Sequence, residues 1–361
     1  MKEIKEKSTD IWVAAQGAAI GKSHIQDNLV CQDKTFVYET PSAIAVSLAD
    51  GAGSARLSHY GAETVTREVC KLLCEKFEEF YTSNSPLPVK RTILTHLLDA
   101  LQDTANENEC ELSDLASTLL AVVISENRFL IIHIGDGVIA YTKENEIKVA
   151  TGPKNGEFAN TTYFVTSSRA LEMMQLIKGT ASVINGFVLM SDGSEASLYS
   201  KQRNEVAPVL HRLVSRLGMT STEYLQPILQ ASLEDAIVKK TRDDCSLVLV
   251  SKHTKSYDEL NDKEGIDYFG IQTKRSCNAV KRKIRYQDIL NALDKERTDR
   301  ELCDLIGLKS TRSFVKNWLA PLADLGYIVE VKPNVYKRTI HPRCSFFTSD
   351  EEGNTKEVID E

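Results

Sequence analysis

The sequence predicts an α+β fold, with two face-to-face β-sheets flanked by helices and a small helix-rich module at the C-terminus. Three observations predict it. Apolar, β-branched runs of strand length recur through the first two thirds of the chain, among them Ala43 to Ala49, Ile131 to Ile134, Phe187 to Met190 and Cys245 to Val250. Stretches with apolar residues at helical spacing separate groups of these runs, which is the order expected of packed sheets with helices outside. At 361 residues the chain exceeds what one hydrophobic core usually serves, and its charge splits by region.

In chain order, residues 11–20 and 28–38 read as strands joined through Gly21-Lys22-Ser23-His24. Residues 43–49 form a third, running into Asp50-Gly51-Ala52-Gly53, where two glycines let the backbone come close to whatever Asp50 holds. Val65, Val69, Leu72, Leu73, Phe77 and Phe80, then Ile93, Leu94, Leu97, Leu98 and Leu101, predict two amphipathic helices split by the breaker at 83–88. Residues 115–125, 128–134, 138–142 and 146–150 predict a strand meander with turns at 126–127 and 143–145. Residues 151–180 are polar and irregular, with 163–165 the one strand-like piece. A strand at 182–191, helices at 206–217 and 224–237 and a closing strand at 245–251 complete a domain expected to span residues 1–252.

Aspartate recurs at the edges of these runs. Asp50 ends one, Gly135-Asp136-Gly137 and Ser191-Asp192-Gly193 end two more, and Asp243-Asp244 opens another. Each alone reads as a turn. Together they suggest carboxylates converging at one rim of a sheet, an oxygen-rich setting of the kind hard divalent cations require.

The order Gln32-Asp33, Ala49-Asp50-Gly51, Ser117-Thr118, Gly135-Asp136, Ser191-Asp192-Gly193, Asp243-Asp244 resembles the metal-dependent serine/threonine phosphatases of type 2C, in their bacterial branch with an Asp-Gly-Ala-Gly core. The resemblance spans about residues 10 to 252 and implies a four-layer sandwich. It implies that Asp50 bridges two metal ions, that the Gly51 carbonyl touches one and that Asp192 and Asp243 complete the pair. Asp33 would sit beside the cluster, and Asp136 at a more peripheral position able to help hold a third ion. The implied cofactor is Mg²⁺ or Mn²⁺, and the implied chemistry is attack on phosphorus by a metal-activated water, without a protein nucleophile. The sequence departs from the family twice. Where the family usually offers an arginine to substrate phosphate, His24 and Lys22 are the basic candidates here, as phosphate ligands or as ordinary loop residues. Where many members carry a histidine that protonates the leaving alcohol, this chain has Ala52, which implies slow turnover or a good leaving group. A catalytically weak, sensor-like protein is the alternative. His133, in an apolar strand, reads as a satisfied core residue, and Ser117-Thr118 as a packing feature.

The C-terminal part carries its own signal. Residues 253–283 read as a polar linker with a short ordered piece around 266–271. Tyr286, Ile289, Leu290 and Leu293 mark one helix, and Thr298-Asp299-Arg300-Glu301 is a capping box opening a second. A third begins at Ser310 or Thr311, is kinked or split at Pro321 and stops at Gly326, before a hairpin at 328–331 and 335–337. Residues 284–343 thus resemble a winged helix-turn-helix domain. That resemblance implies that Lys309, Ser310, Thr311, Arg312, Lys316 and Asn317 face base edges and phosphates, while Lys332, Lys337 and Arg338 reach phosphates from the wing. Such domains also serve as protein-docking or dimer modules.

Charge is consistent with two modules. Residues 274–343 carry 16 Lys and Arg against 8 Asp and Glu, within a chain of net charge -7. Residues 344–361 are expected to be an acidic, disordered tail. Eight cysteines with no Cys-x-x-Cys or Cys/His spacing argue against a zinc site or disulfide framework. No apolar run is long enough for a membrane span and the first ten residues are charged, so a cytoplasmic protein is expected. The two resemblances imply a phosphorylated protein as substrate and double-stranded DNA or a docking protein as the partner of the C-terminal module.

Overall fold

The computed structural model describes residues 11–144, 146–153, 162–219, 222–253, 260–271, 276–325, 327–338, 347–349 and 355–357. The charged first ten residues, Gly326 and most of the acidic C-terminal run lie outside them. Two compact units divide the chain, one of residues 1–218 with 225–252 and the other of residues 219–224 with 253–361.

The first unit holds two five-stranded antiparallel sheets. Sheet one comprises β1 (Trp12–Ala19), β6 (Val138–Lys143), β7 (Glu146–Thr151), β9 (Gly186–Met190) and β12 (Cys245–Lys252), ordered β1-β12-β9-β6-β7. Sheet two comprises β2 (Lys34–Thr40), β3 (Ala43–Ala49), β4 (Leu119–Ser125), β5 (Arg128–Ile134) and β8 (Gln175–Thr180), ordered β2-β3-β4-β5-β8. A small hairpin pairs β10 (Tyr199–Ser200) with β11 (Glu205–Val206). The helices are α1 (Lys22–Gln26), α2 (Ser58–Glu75), α3 (Phe77–Thr82), α4 (Pro86–Glu107), α5 (Ala170–Met173), α6 (Asp192–Leu198), α7 (Pro208–Leu217) and α8 (Thr222–Ser232).

The period of two along each strand sorts its side chains between two cores. In β3, Ile44, Val46 and Leu48 join Val122, Ile131, Phe187, Leu189, Val248 and Val250 between the sheets. Ala43, Ala45 and Ala49 face the other way, against Val65, Val69 and Leu73 of α2 and Ile93, Leu97 and Leu101 of α4. In β12, Leu247 and Leu249 point outward to Leu210, Val214 and Leu217 of α7 and Leu225 and Leu229 of α8. The result is helices, sheet, sheet, helices. Because the inner strands are covered on both faces they read as unbroken apolar runs, which is why their alternation is weak in the sequence.

Three expectations need correction. The stretch from residue 119 to 151 is not one meander, because β5 lies in sheet two and β6 in sheet one, and Gly135-Asp136-Gly137 is the crossover between them. Gly135 takes φ +118°, with the Thr118 side chain where its Cβ would be. The edge strand β8 escaped notice because its residues are half-buried or exposed, and residues 163–165 form a turn instead of a strand. The expected linker also folds. Within the second unit α9 (Asp262–Tyr268) follows Leu260, and Phe269 packs between Tyr286 and Tyr327, with ring centroids 5.5 and 5.4 Å away. The buried Lys283 donates from Nζ to the Leu260 carbonyl at 2.9 Å, tying that segment to α10 (Ser276–Ala292). Its apolar residues are too sparse and too unevenly spaced to register as an element.

The rest of the second unit is α11 (Asp299–Leu305), α12 (Thr311–Phe314), a π turn at Val315–Leu319 and α13 (Ala320–Asp324), with β13 (Arg297–Thr298), β14 (Ile328–Lys332) and β15 (Val335–Arg338) in the order β13-β15-β14. Thr298 and Glu301 form the capping box. The third helix is divided just before Pro321, with a π turn between α12 and α13 and the proline in the first turn of α13, while Phe314, Leu319 and Ala320 stay right-handed helical. A further short strand pair joins β16 (Phe347–Ser349) and β17 (Thr355–Glu357). Among the described residues seven cysteines are free, and no helix is long and apolar enough to cross a membrane.

A Cβ on Gly61 of α2 would lie 1.9 Å from the Leu115 carbonyl oxygen. Gly61→Ala is therefore expected to destabilise the fold by about 1–3 kcal/mol in urea titration, despite alanine's better helix propensity. A raised midpoint would refute this close backbone approach.

Candidate metal centre

Strand pairing decides where the acids lie. β2 starts at Lys34 opposite Ala49, the last residue of β3, so Asp33 and Asp50 leave sheet two side by side. Met190 ends β9 opposite Leu247 in β12, which brings Asp192 near the Asp243-Asp244 approach to β12. Asp136 stands in the crossover between the sheets. One carboxylate oxygen from each of Asp50, Asp136 and Asp192 lies within 4.8 Å of the others. Asp33 is buried at 2 % exposure beside Asp50, while Asp243 is exposed but close enough to act electrostatically on both Asp50 and Asp192.

Backbone and hydroxyl groups fix these positions. The Asp50 amide donates to Thr118 Oγ1 at 2.9 Å, the Thr118 amide donates to the Asp50 carbonyl at 2.8 Å, and Gly51 bridges to Ser117. Ser117-Thr118 thus shape the acid loop rather than merely filling the core. Gly51 is required by a protein neighbour, for a Cβ there would meet Ser58 at 2.8 Å, whereas a Cβ on Gly53 would make only an ordinary contact with Gln32 Oε1 at 3.9 Å. Asp244, 1 % exposed, accepts from the Gly21 and Gln32 amides at 2.6 Å each, and its carbonyl presses on Gly193. It joins the segments that carry Asp33, Asp192 and Asp243. The sequence contained Asp244, but its burial could not be read there.

Burial is the first cause of the titration behaviour. It raises Asp50 well above the usual carboxylate range, with the charges of Asp33, Asp192 and Asp243 adding to the effect. Burial likewise raises Asp192 to about 7, helped by Asp136 and Asp243. Asp33 rises to about 6, again mainly through burial, with the Ser191 and Ser246 hydroxyls pulling the other way. Both Asp33 oxygens and Asp192 Oδ1 are nonetheless buried without a partner in good hydrogen-bond geometry. Orphaned, crowded carboxylate oxygens of this kind fit hard divalent cations.

The two basic candidates for substrate phosphate, Lys22 and His24, have protein partners. Lys22 Nζ donates to the Lys239 carbonyl at 2.7 Å, and His24 Nδ1 lies 2.9 Å from Asp244 Oδ2, both on the short helix α1 that replaces the expected loop. Asp136, expected at the periphery, belongs to the tightest group, and Asp243 stands outside it. His133 is fully buried and satisfied, as its apolar strand suggests. Ala52 is buried with Ala55, Ala116 and Phe164 in a small apolar cluster.

The protein phosphatase 2C family model matches residues 20–237, more than half the chain. The chain belongs to the protein phosphatase 2C family. This phosphatase is 24% identical over 248 residues to serine/threonine-protein phosphatase 3 of Escherichia coli K12, a match covering 66% of this chain and 97% of that protein. It also aligns with the serine/threonine phosphatase Stp1 of Staphylococcus aureus at 16% identity and a TM-score of 0.47, over 70% of this chain and 99% of that one. The S. agalactiae serine/threonine phosphatase aligns at 15% identity and a TM-score of 0.48, over 67% and 100%. The phosphatase is metal-dependent, with Mg²⁺ or Mn²⁺ as cofactor. Residues 253–361 lie beyond the matched span.

Raised carboxyl pKa values mean that the folded, metal-free phosphatase binds more protons than the unfolded chain between about pH 4 and pH 7, so these groups favour folding at low pH and this contribution is lost as pH rises to 7. Divalent cations reverse the penalty only where the carboxylates are ionised. The rise in Tm on adding Mn²⁺ is expected to be larger at pH 8 than at pH 5 by scanning fluorimetry. An equal or smaller rise at pH 8 would contradict it.

Proposed function

We propose that the chain hydrolyses phosphoserine or phosphothreonine on a protein in a reaction requiring Mg²⁺ or Mn²⁺, and that its second unit couples this activity to regulation through DNA or protein docking. The convergence of Asp50, Asp136 and Asp192 within 4.8 Å carries the first part. Asp50, Asp192, Asp243 and the Gly51 carbonyl would hold two ions, and Asp136 contributes a further ligand, enough for a third. Bound there, the ions supply the charge that offsets the phosphoryl oxygens and makes water nucleophilic near neutral pH. Asp33, buried beside Asp50 with oxygens that lack a partner in good hydrogen-bond geometry, would orient water by accepting hydrogen bonds. The dry apolar wall at Ala52 gives the leaving alcohol no proton, so that proton comes from solvent.

Ala52 also favours a second reading, in which catalysis is weak and the fold mainly senses metal or phospho-ligand. A missing general acid costs roughly 10²–10⁴-fold in rate without abolishing turnover. Full-length protein is expected to release phosphate from a phosphothreonine peptide with Mn²⁺, to lose that activity on chelation, and to fall to background as Asp50→Ala. Tight Mn²⁺ binding with no hydrolysis across a phosphopeptide library would select the sensor reading.

The second unit is read as a winged helix-turn-helix. A capped α11, an α12 capped by Ser310 Oγ and the three-stranded sheet with its β14–β15 hairpin support this. Lys309, Arg312, Lys316 and Asn317 are exposed with the half-buried Thr311 around α12, and Lys332 and Lys337 are exposed on the hairpin. Two of the expected contacts are already engaged. Ser310 accepts from the Ser313 amide, and Arg338 donates from Nη1 to the Leu290 carbonyl at 3.0 Å. Arg312→Ala with Lys316→Ala is expected to weaken a duplex-DNA gel shift and to lower the salt dependence by about one unit per lost phosphate contact. Absence of any shift at low salt would turn this unit into a protein-docking module.

A further inference from the structure

We propose that His133 is a positioning residue for Asp136, holding the crossover between the two sheets in the one arrangement that delivers this carboxylate to the ion site. The proposal rests on the metal-dependent reading above. Gly135-Asp136-Gly137 is where the chain leaves β5 in sheet two and enters β6 in sheet one. A crossover of three residues with a glycine at φ +118° has few internal restraints, and Asp136 is useful only if its carboxylate points back toward Asp50 and Asp192.

His133 supplies the restraint from beneath. Its ring is fully buried, and Nε2 stands 3.1 Å from the Gly135 carbonyl oxygen. A carbonyl can only accept, so Nε2 carries the proton and donates. Nδ1 of the neutral ring then accepts from Gln175 Nε2 at 3.3 Å, while Thr151 Oγ1, 2.9 Å from Nδ1, gives its one proton to Gln175 Oε1 and so holds that amide in place. Thr151 is the last residue of β7 in sheet one and Gln175 the first of β8 in sheet two, joined by a 2.8 Å hydrogen bond. Gln175 Nε2 also reaches the Gly152 carbonyl at 3.2 Å. One imidazole therefore bonds the crossover on one side and a polar clasp between the sheets on the other. From above, the Thr118 side chain fills the space against Gly135, and the Thr162 hydroxyl donates to Asp136 Oδ2. An apolar residue at 133 would fill the core but leave the Gly135 carbonyl without its donor, so that the crossover backbone carrying Asp136 would be held only by Thr118 and Thr162.

The test measures Mn²⁺ affinity of the full-length chain by calorimetry, independently of turnover, together with Tm. His133→Leu is expected to weaken Mn²⁺ binding about 10–100-fold, the range for groups that orient ligands. His133→Gln, which keeps an amide donor near the Nε2 position, is expected to recover most of that loss. In an Asp136→Ala background His133→Leu is expected to have no further effect on affinity, because it acts through that carboxylate. Unchanged affinity in a folded His133→Leu protein, or an equal loss with and without Asp136, overturns the proposal. Should His133→Leu not fold, Thr151→Val removes the hydroxyl that orients Gln175 toward Nδ1 in nearly the same volume, and the same two outcomes decide. Wild-type protein that binds Mn²⁺ without hydrolysing phosphopeptides defeats the phosphatase reading alone, and wild-type protein that binds no Mn²⁺ defeats both.

Discussion

The structure of the first unit is governed by carboxylates that repel one another at one rim of a sandwich. Asp33, Asp50 and Asp192 all have raised pKa values, with burial the largest cause and each other's charge a further one. Such a cluster would spread apart unless the backbone forbade it. Two antiparallel sheets with complementary registers, Lys34 opposite Ala49 and Met190 opposite Leu247, supply that rigidity. The helices outside keep both sheets dry on their far faces, so the strands cannot shift to relieve the crowding.

The supporting layer is as specific as the acids. Asp244 does not face the ions' position but ties Gly21, Gln32 and His24 together, and Thr118 holds the Asp50 turn by two hydrogen bonds. A site organised this way depends on preformed geometry.

Much of this was legible in the sequence because strand and helix periods are local. The runs at β3, β5, β9 and β12 and the aspartates at their ends could be read directly, as could the amphipathic faces of α2 and α4. What could not be read depends on partners distant in the chain. That β5 and β6 belong to different sheets follows from packing between the sheets, which leaves no trace in hydrophobic alternation. The resemblance implied a peripheral Asp136, whereas its nearness to Asp50 and Asp192 is set by that same crossover. His24 looked like a loop cation because its partner, Asp244, lies more than two hundred positions later. β8 and the first turn of α9, ahead of the ordered piece expected around 266–271, are illegible for a simpler reason, since an edge strand with polar residues and a short helix with few apolar ones carry little period of either kind.

The anchoring of Leu260, Phe269 and Ile271 into the second unit's core has a practical corollary for cutting the chain. A fragment begun at residue 284, where the helical pattern first becomes obvious, would strip Tyr286 and Tyr327 of their aromatic neighbour Phe269 and discard the buried Lys283 clasp. The autonomous C-terminal piece begins no later than Leu260, and a shorter one would expose a sticky aromatic surface that the intact protein keeps covered.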